Sequence, residues 1–260
     1  MLETVSVNKP NTMSVLVASI PHGSSLLTTE MAENRDRYVT LSNNDWFLSD
    51  LFNFLYNLGI TTVSANYSRY VVDVNRNLVF RDANDEYTKS LVYQKSTFGR
   101  DIYKTPLSDE DILKRIEEVY RPFHKVLSAE ISHIRETTNR AFLTDLHSFG
   151  FPPDADVVLE TCHGKSCSTG FLTLIQDAFI AEGFSVKVDV TGLTGGFIVS
   201  NYGSWHNVEA VQIEIAYRSY IEQREFGEEE VTTRDEKLFQ DTKVRLARAF
   251  ETINSHVTTL

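Results

Sequence analysis

Residues 14–22 read SVLVASIPH, residues 141–147 read AFLTDLH, and residues 210–215 read AVQIEI. Each is a short, largely apolar run of strand length. The first two end on His22 and His147, and the third carries Glu214. In an open α/β sheet the carboxyl ends of the strands face one crevice, so these three side chains are expected to converge there. Two imidazoles and a carboxylate are the parts of a catalytic zinc site with its general base.

Along the chain, strand and helix patterns alternate. Asn43 or Asn44 offers an N-cap to a helix in which Leu48, Leu51, Phe52 and Leu55 share a face, and Gly59 ends it. Residues 61–66 begin the next strand, and the alternation in SRYVVDVN suggests a further extended segment. Residues 77–105 are polar, aromatic and weakly periodic, which marks a long excursion. Ser108 and Asp111 form a capping-box signal for a helix through about Arg135, with Pro122 dividing it. A helix over 169–181 and a strand over 185–190 follow, then a loop punctuated by Gly192, Gly195 and Gly196. Thr233 with Glu236 signals a closing helix through about Ile253. The expectation is one α/β domain over residues 1–260, a central mixed, mostly parallel sheet flanked by helices.

Composition narrows the partners. A net charge of -11 argues against nucleic acid, which calls for a basic face. It leaves room for a small anionic substrate, because a few arginines reverse the sign inside a cleft. Cys162 and Cys167 are too few for a disulfide framework and read as free thiols of a reducing cytosol. The amino terminus lacks a basic start and a long apolar segment, and no run approaches the roughly 20 apolar residues that span a bilayer. A soluble cytoplasmic protein with no membrane partner is expected; the oligomeric state stays open.

The motifs PHGSS, NDWFLSDLFNFLYNLG, YSRYVVDVNR, STFGRDIY, YRPFHKVL, DLHSF, HGKSC, LTGGFIVSNYG and VQIEIAYRSYIE occur in that order over most of the chain. In this the chain resembles the N-formylglutamate amidohydrolases, whose fold is zinc carboxypeptidase-like (phosphorylase/hydrolase-like). The resemblance implies one zinc ion, or another divalent metal, held by His22 and His147. Carboxypeptidases take a third ligand from a glutamate three residues after the first histidine, where this chain has Ser25. The family's aspartate before a tryptophan matches Asp45, whose alternative role is that of a helix N-terminal residue. Glu30 and Asp50 are the fallback ligands. Glu214 matches the catalytic glutamate.

Arg69, Asn75 and Arg76 follow a strand as three clustered donors, and a guanidinium fork suits a carboxylate. The Asn75–Arg76 pair resembles the carboxylate-binding pair of the wider carboxypeptidase group. Arg218 and the backbone at Gly195 and Gly196 are further candidate contacts, with a structural salt bridge and a tight turn as their alternatives. The implied activity is hydrolysis of a small anionic N-acyl amino acid, most simply N-formyl-L-glutamate to formate and glutamate. Two alternatives remain: an N-acyl amidase acting on a short peptide or cell-wall fragment, and a silent binding protein of the same fold.

Overall fold

The computed structural model describes residues 3–80, 90–151 and 153–260. Among the described residues, seven strands form one sheet: β1 (Val5–Asn8), β2 (Leu16–Ile20), β3 (Thr61–Ala65), β4 (Ala141–Phe149), β5 (Val157–Glu160), β6 (Val186–Val188) and β7 (Val208–Ala216). Their spatial order is β1-β3-β2-β4-β7-β5-β6. The run β3-β2-β4-β7 is parallel, while β1 on β3 and β5 on β7 are antiparallel. The expected mixed, mostly parallel sheet is therefore present, and the three opening segments are its adjacent strands β2, β4 and β7.

Helices cover both faces: α1 (Thr29–Asn34), α2 (Leu48–Leu51), α3 (Asp109–Arg115), α4 (Arg121–Thr138), α5 (Thr169–Ala181), α6 (Phe197–Tyr202), α7 (Tyr217–Tyr220) and α8 (Glu236–His256). Against one face, Phe171 and Phe179 of α5 and Leu246 and Phe250 of α8 meet Phe142, Leu146 and Ile213. Against the other, Phe123, Leu127 and Ile131 of α4 meet Val17, Leu143 and Ala210. A strand with both faces covered reads as an apolar run, which is why these strands stood out. Leu143 is fully buried in the second layer. Leu143→Ala should cost about 2–5 kcal/mol, read as a lower urea midpoint.

That second face changes character along the strands. Val17, Leu143 and Ala210 lie side by side in register. Two residues further on, Ser19, Asp145 and Gln212 do so, and Glu160 of β5 continues the row. One more step along β4 and β7 pairs His147 with Glu214. The face thus runs from apolar to polar toward the carboxyl ends of the parallel strands, while its reverse stays apolar at Leu146, Ile213 and Ile215.

Several expectations need correction. The helix expected after Asn44 is only α2, followed by a 3-10 turn over Asn53–Leu58 that Gly59 ends with φ 78°. Asn44 does not cap it: its side chain spans Leu41 O and Ser68 Oγ, and Phe47 precedes α2 at φ 59°. SRYVVDVN is not a strand. Tyr70, Val71, Val72 and Val74 are all buried, so no face alternates, and the chain turns with Val71 N on Ser68 O and Arg76 N on Asp73 O. Its predecessor β3 already has β1 and β2 on its two sides. The last helix is capped by Asp235 and runs to His256, beyond Ile253. The Ser108–Asp111 capping box is present. A π-helical turn over Ile116–Tyr120 precedes Pro122, whose missing N–H cannot serve a regular helical ladder. Strands β1 and β5, four residues each, are not among the expected elements. Of the 77–105 excursion, residues 81–89 lie outside the described residues, and 90–105 contain no helix and only isolated bridges.

Candidate active site

His22 stands just past β2, and His147 lies on β4. Between them comes Asp45, from the loop that leads into α2. That loop is fixed by the Asp45 N–H on His22 O at 3.1 Å and by the Tyr217 hydroxyl on Asn44 O. Asn43, at φ 64°, provides its left-handed bend. The three side chains are buried, and one donor atom from each falls within 4.8 Å of the others. Asp45 Oδ2 is 3.7 Å from His22 Nδ1 and 3.1 Å from His147 Nδ1.

The outer nitrogens are already engaged. His22 Nε2 is 2.7 Å from Asp73 Oδ1, and His147 Nε2 is 2.9 Å from Asp145 Oδ2. Asp145 is itself held by the Ser19 hydroxyl. Asp73 accepts from Arg69 Nη2 at 2.8 Å, from the Tyr93 hydroxyl and from the Asn75 N–H. A carboxylate behind an imidazole fixes its tautomer and raises its basicity, the usual support for a metal-bound histidine. Here it turns both Nδ1 atoms inward, where His22 Nδ1 is buried without a hydrogen-bond partner among the described residues.

The electrostatics agree with a cation at this point. Burial, then Arg69, lowers the His22 pKa to about 4, so the ring is a neutral donor at neutral pH. Burial also disfavours charge on His147, but Asp145 and Asp45 outweigh it and hold the ring well above the usual histidine range. Two carboxylates thus retain a positive charge where a metal would supply one. An N,N,O donor set with an orphaned inward nitrogen fits a divalent ion. Of the fallback ligands, Glu30 pairs with Arg115 at 2.9 Å and Asp50 with Arg234 at 3.2 Å.

A cavity of about 520 Å³ opens on this cluster and is lined also by Glu214, Arg69, Asn75, Arg76, Gly195 and Gly196. Glu214 is buried beside His147, with its Oε1 accepting from Gln212 Nε2 at 3.0 Å. Burial raises its pKa to about 7. Asn75 is a hub: its Oδ1 accepts from the Ile198 N–H at 2.8 Å, and its Nδ2 faces His147 and Gln212. A Cβ at Gly196 would fall 2.3 Å from Asn75 Nδ2, so only glycine allows this approach. The N–H groups of Gly195 and Gly196 are spent on Glu160 and Gln212. Arg218 is not brought to the cavity; it pairs with the exposed Asp154 at 2.5 Å.

A sequence model of the N-formylglutamate amidohydrolase family matches residues 14–221, which contain every residue of this cluster. The chain belongs to the N-formylglutamate amidohydrolase family. It is 30% identical over 253 residues to an N-formylglutamate deformylase of Pseudomonas putida, covering 92% of this chain and 91% of that protein. It is likewise 30% identical over 223 residues to one of Pseudomonas aeruginosa, covering 80% and 83%. The crystal structure of an N-formylglutamate amidohydrolase from Ralstonia eutropha superposes with a TM-score of 0.79 at 19% identity, covering 98% of this chain and 100% of that one. That likeness shows the fold of the amidohydrolase family. No helix among the described residues is long and apolar enough to cross a membrane.

The candidate site also contains Asp73, Asp145, Tyr93, Glu160 and Gln212, which the sequence motifs alone do not single out. Asp145 and Gln212 carried a legible signal, each standing two residues before a singled-out site residue and so on the same strand face. Asp73 carried none, because its partner His22 is distant in sequence. Asp73→Asn is expected to weaken metal binding about 10- to 100-fold, measured by competition with a chromogenic chelator.

Proposed function

We propose that this chain hydrolyses N-formyl-L-glutamate to formate and L-glutamate, using one zinc ion held by His22, Asp45 and His147. The observation that carries the reading is the meeting of His22 Nδ1, Asp45 Oδ2 and His147 Nδ1 in a cavity also lined by Glu214 and two arginines. The names of its relatives supply the substrate. A bound zinc ion polarises a carbonyl and brings the pKa of water from about 15.7 to about 7.

The chain's own groups do the rest. Glu214 takes a proton from the attacking water and returns it to the amide nitrogen as the carbon–nitrogen bond breaks. Gln212 occupies Oε1, so the proton travels on Oε2. Arg69 and Arg76 hold substrate carboxylates, placing positive charge in the cleft of a chain whose net charge is -11. Asp73 sits against both guanidinium groups, at 2.8 Å and 4.0 Å, and orients them with His22.

The test is formate or amine release from N-formyl-L-glutamate, N-acetyl-L-glutamate and a short glutamyl peptide, before and after chelation. Turnover of the formyl substrate that chelation removes and zinc restores is expected. Turnover of the peptide alone would move the chain to the peptide amidases. Full activity after complete chelation would end the metal reading.

A further inference from the structure

One carboxyl group on the cavity wall has no part in this chemistry. Glu160, the last residue of β5, is 2% exposed and lines the cavity. Its Oε2 accepts two hydrogen bonds, from the Gly195 N–H and from Gln212 Nε2 at 3.1 Å. Its Oε1 is buried and has no hydrogen-bond partner among the described residues. Gln212 cannot turn to serve it. The same Nε2 also holds Glu214, while Oε1 of that amide accepts from the Gly196 N–H at 2.9 Å.

This bonding pattern fixes what the group can do. With Oε2 already an acceptor twice over, a proton on the carboxyl sits on Oε1. Burial, and after it the charge of Glu214, pushes the group well above the usual carboxylate range. An anionic ligand in the cavity acts in the same direction. An ionised oxygen buried without a donor is costly, whereas a hydroxyl there only needs an acceptor. A dicarboxylate substrate consists largely of acceptors.

Accepting the substrate reading above, we propose that Glu160 is a substrate-binding residue that acts as a donor: its Oε1 hydroxyl hydrogen-bonds to a carboxylate oxygen of the bound N-acyl dicarboxylic amino acid. It supplements Arg69 and Arg76 without adding a charge beside the metal ligands and the base. A carboxylic acid kept neutral so that it can donate is an established device where burial opposes ionisation.

The experiment compares Glu160→Gln with Glu160→Leu on N-formyl-L-glutamate. A glutamine keeps the carbonyl for Gly195 and Gln212 and places an N–H where the hydroxyl was; leucine has the size but no donor. Glu160→Leu should raise KM about 10- to 100-fold with kcat little changed, and Glu160→Gln should recover most of that loss. The leucine penalty should also shrink on one of N-formyl-L-glutamine and N-formyl-L-isoglutamine, each of which lacks one carboxylate. Glutamine no better than leucine, or an undiminished leucine penalty on both amides, overturns the assignment. Should the leucine variant fail to fold, the glutamine variant decides alone, since a tenfold or greater rise in its KM rejects a donor role. Wild-type protein that does not turn over N-formyl-L-glutamate overturns the substrate reading first, and this assignment with it.

Discussion

Glu214→Gln is expected to keep its metal and lose about two to four orders of magnitude in kcat. The glutamine preserves the shape of the side chain and leaves an oxygen for the Gln212 amide, which donates to Oε1 at 3.0 Å. It removes only the capacity to carry a proton. None of the three metal-facing atoms comes from this residue, so metal content by elemental analysis should match the wild type. The pH profile gives an independent reading. Burial lifts the Glu214 pKa to about 7, and a carboxylate acting as base works ionised, so kcat/KM should rise with pH on the acidic side. A divalent cation beside the group favours its ionised form, which moves that limb below pH 7. The same shift sets a stability cost. A carboxyl raised above its unfolded value of 4.5 is best accommodated protonated, so in metal-free protein its contribution falls as pH rises from that value through about 7. Near-wild-type turnover in Glu214→Gln would remove the residue from proton transfer.

What the sequence made legible follows from how locally each feature is encoded. Strands β2, β4 and β7 are covered on both faces, and their apolar runs announce themselves. His22 and Glu214 could then be placed because strand ends in such a sheet share a crevice. Asp45 needed the family resemblance: its place beside the two histidines depends on a loop bent at Asn43 and Phe47, both at positive φ, which no periodicity encodes. The sequence points to Arg69 and Asn75 as substrate donors, yet the structure also gives them internal partners in Asp73, Tyr93, Gln212 and the Ile198 N–H. Such long-range pairing has no local signature. Four-residue β5 gave too short an apolar run to notice, and Glu160 was lost with it. The SRYVVDVN segment failed for the opposite reason. It has strand-like alternation, but its charged residues are drawn inward by ion pairs centred on Asp73 and its valines are buried on every side.

Removing Asp45, the proposed third ligand, is the second large effect. Asp45→Ala should abolish stoichiometric metal binding and, with it, turnover. Two histidines alone leave a divalent ion without the carboxylate that neutralises part of its charge and completes a three-ligand set. The variant also strips His147 of one of the two carboxylates that sustain its positive charge, so Asp145 alone would hold it. Metal-dependent stability separates lost binding from lost folding. Metal at 100 times its Kd stabilises a folded protein by about 2.7 kcal/mol, so wild-type thermal midpoints should climb with added zinc. Those of Asp45→Ala should stay flat while its far-ultraviolet circular dichroism remains native. Asp50 is the matched control, since its side chain is 65% exposed and pairs with Arg234 away from the cluster. Asp50→Asn should therefore bind metal as the wild type does. Full metal content in Asp45→Ala, or its loss in Asp50→Asn, would require a different third ligand and a different placement of the ion in the cavity.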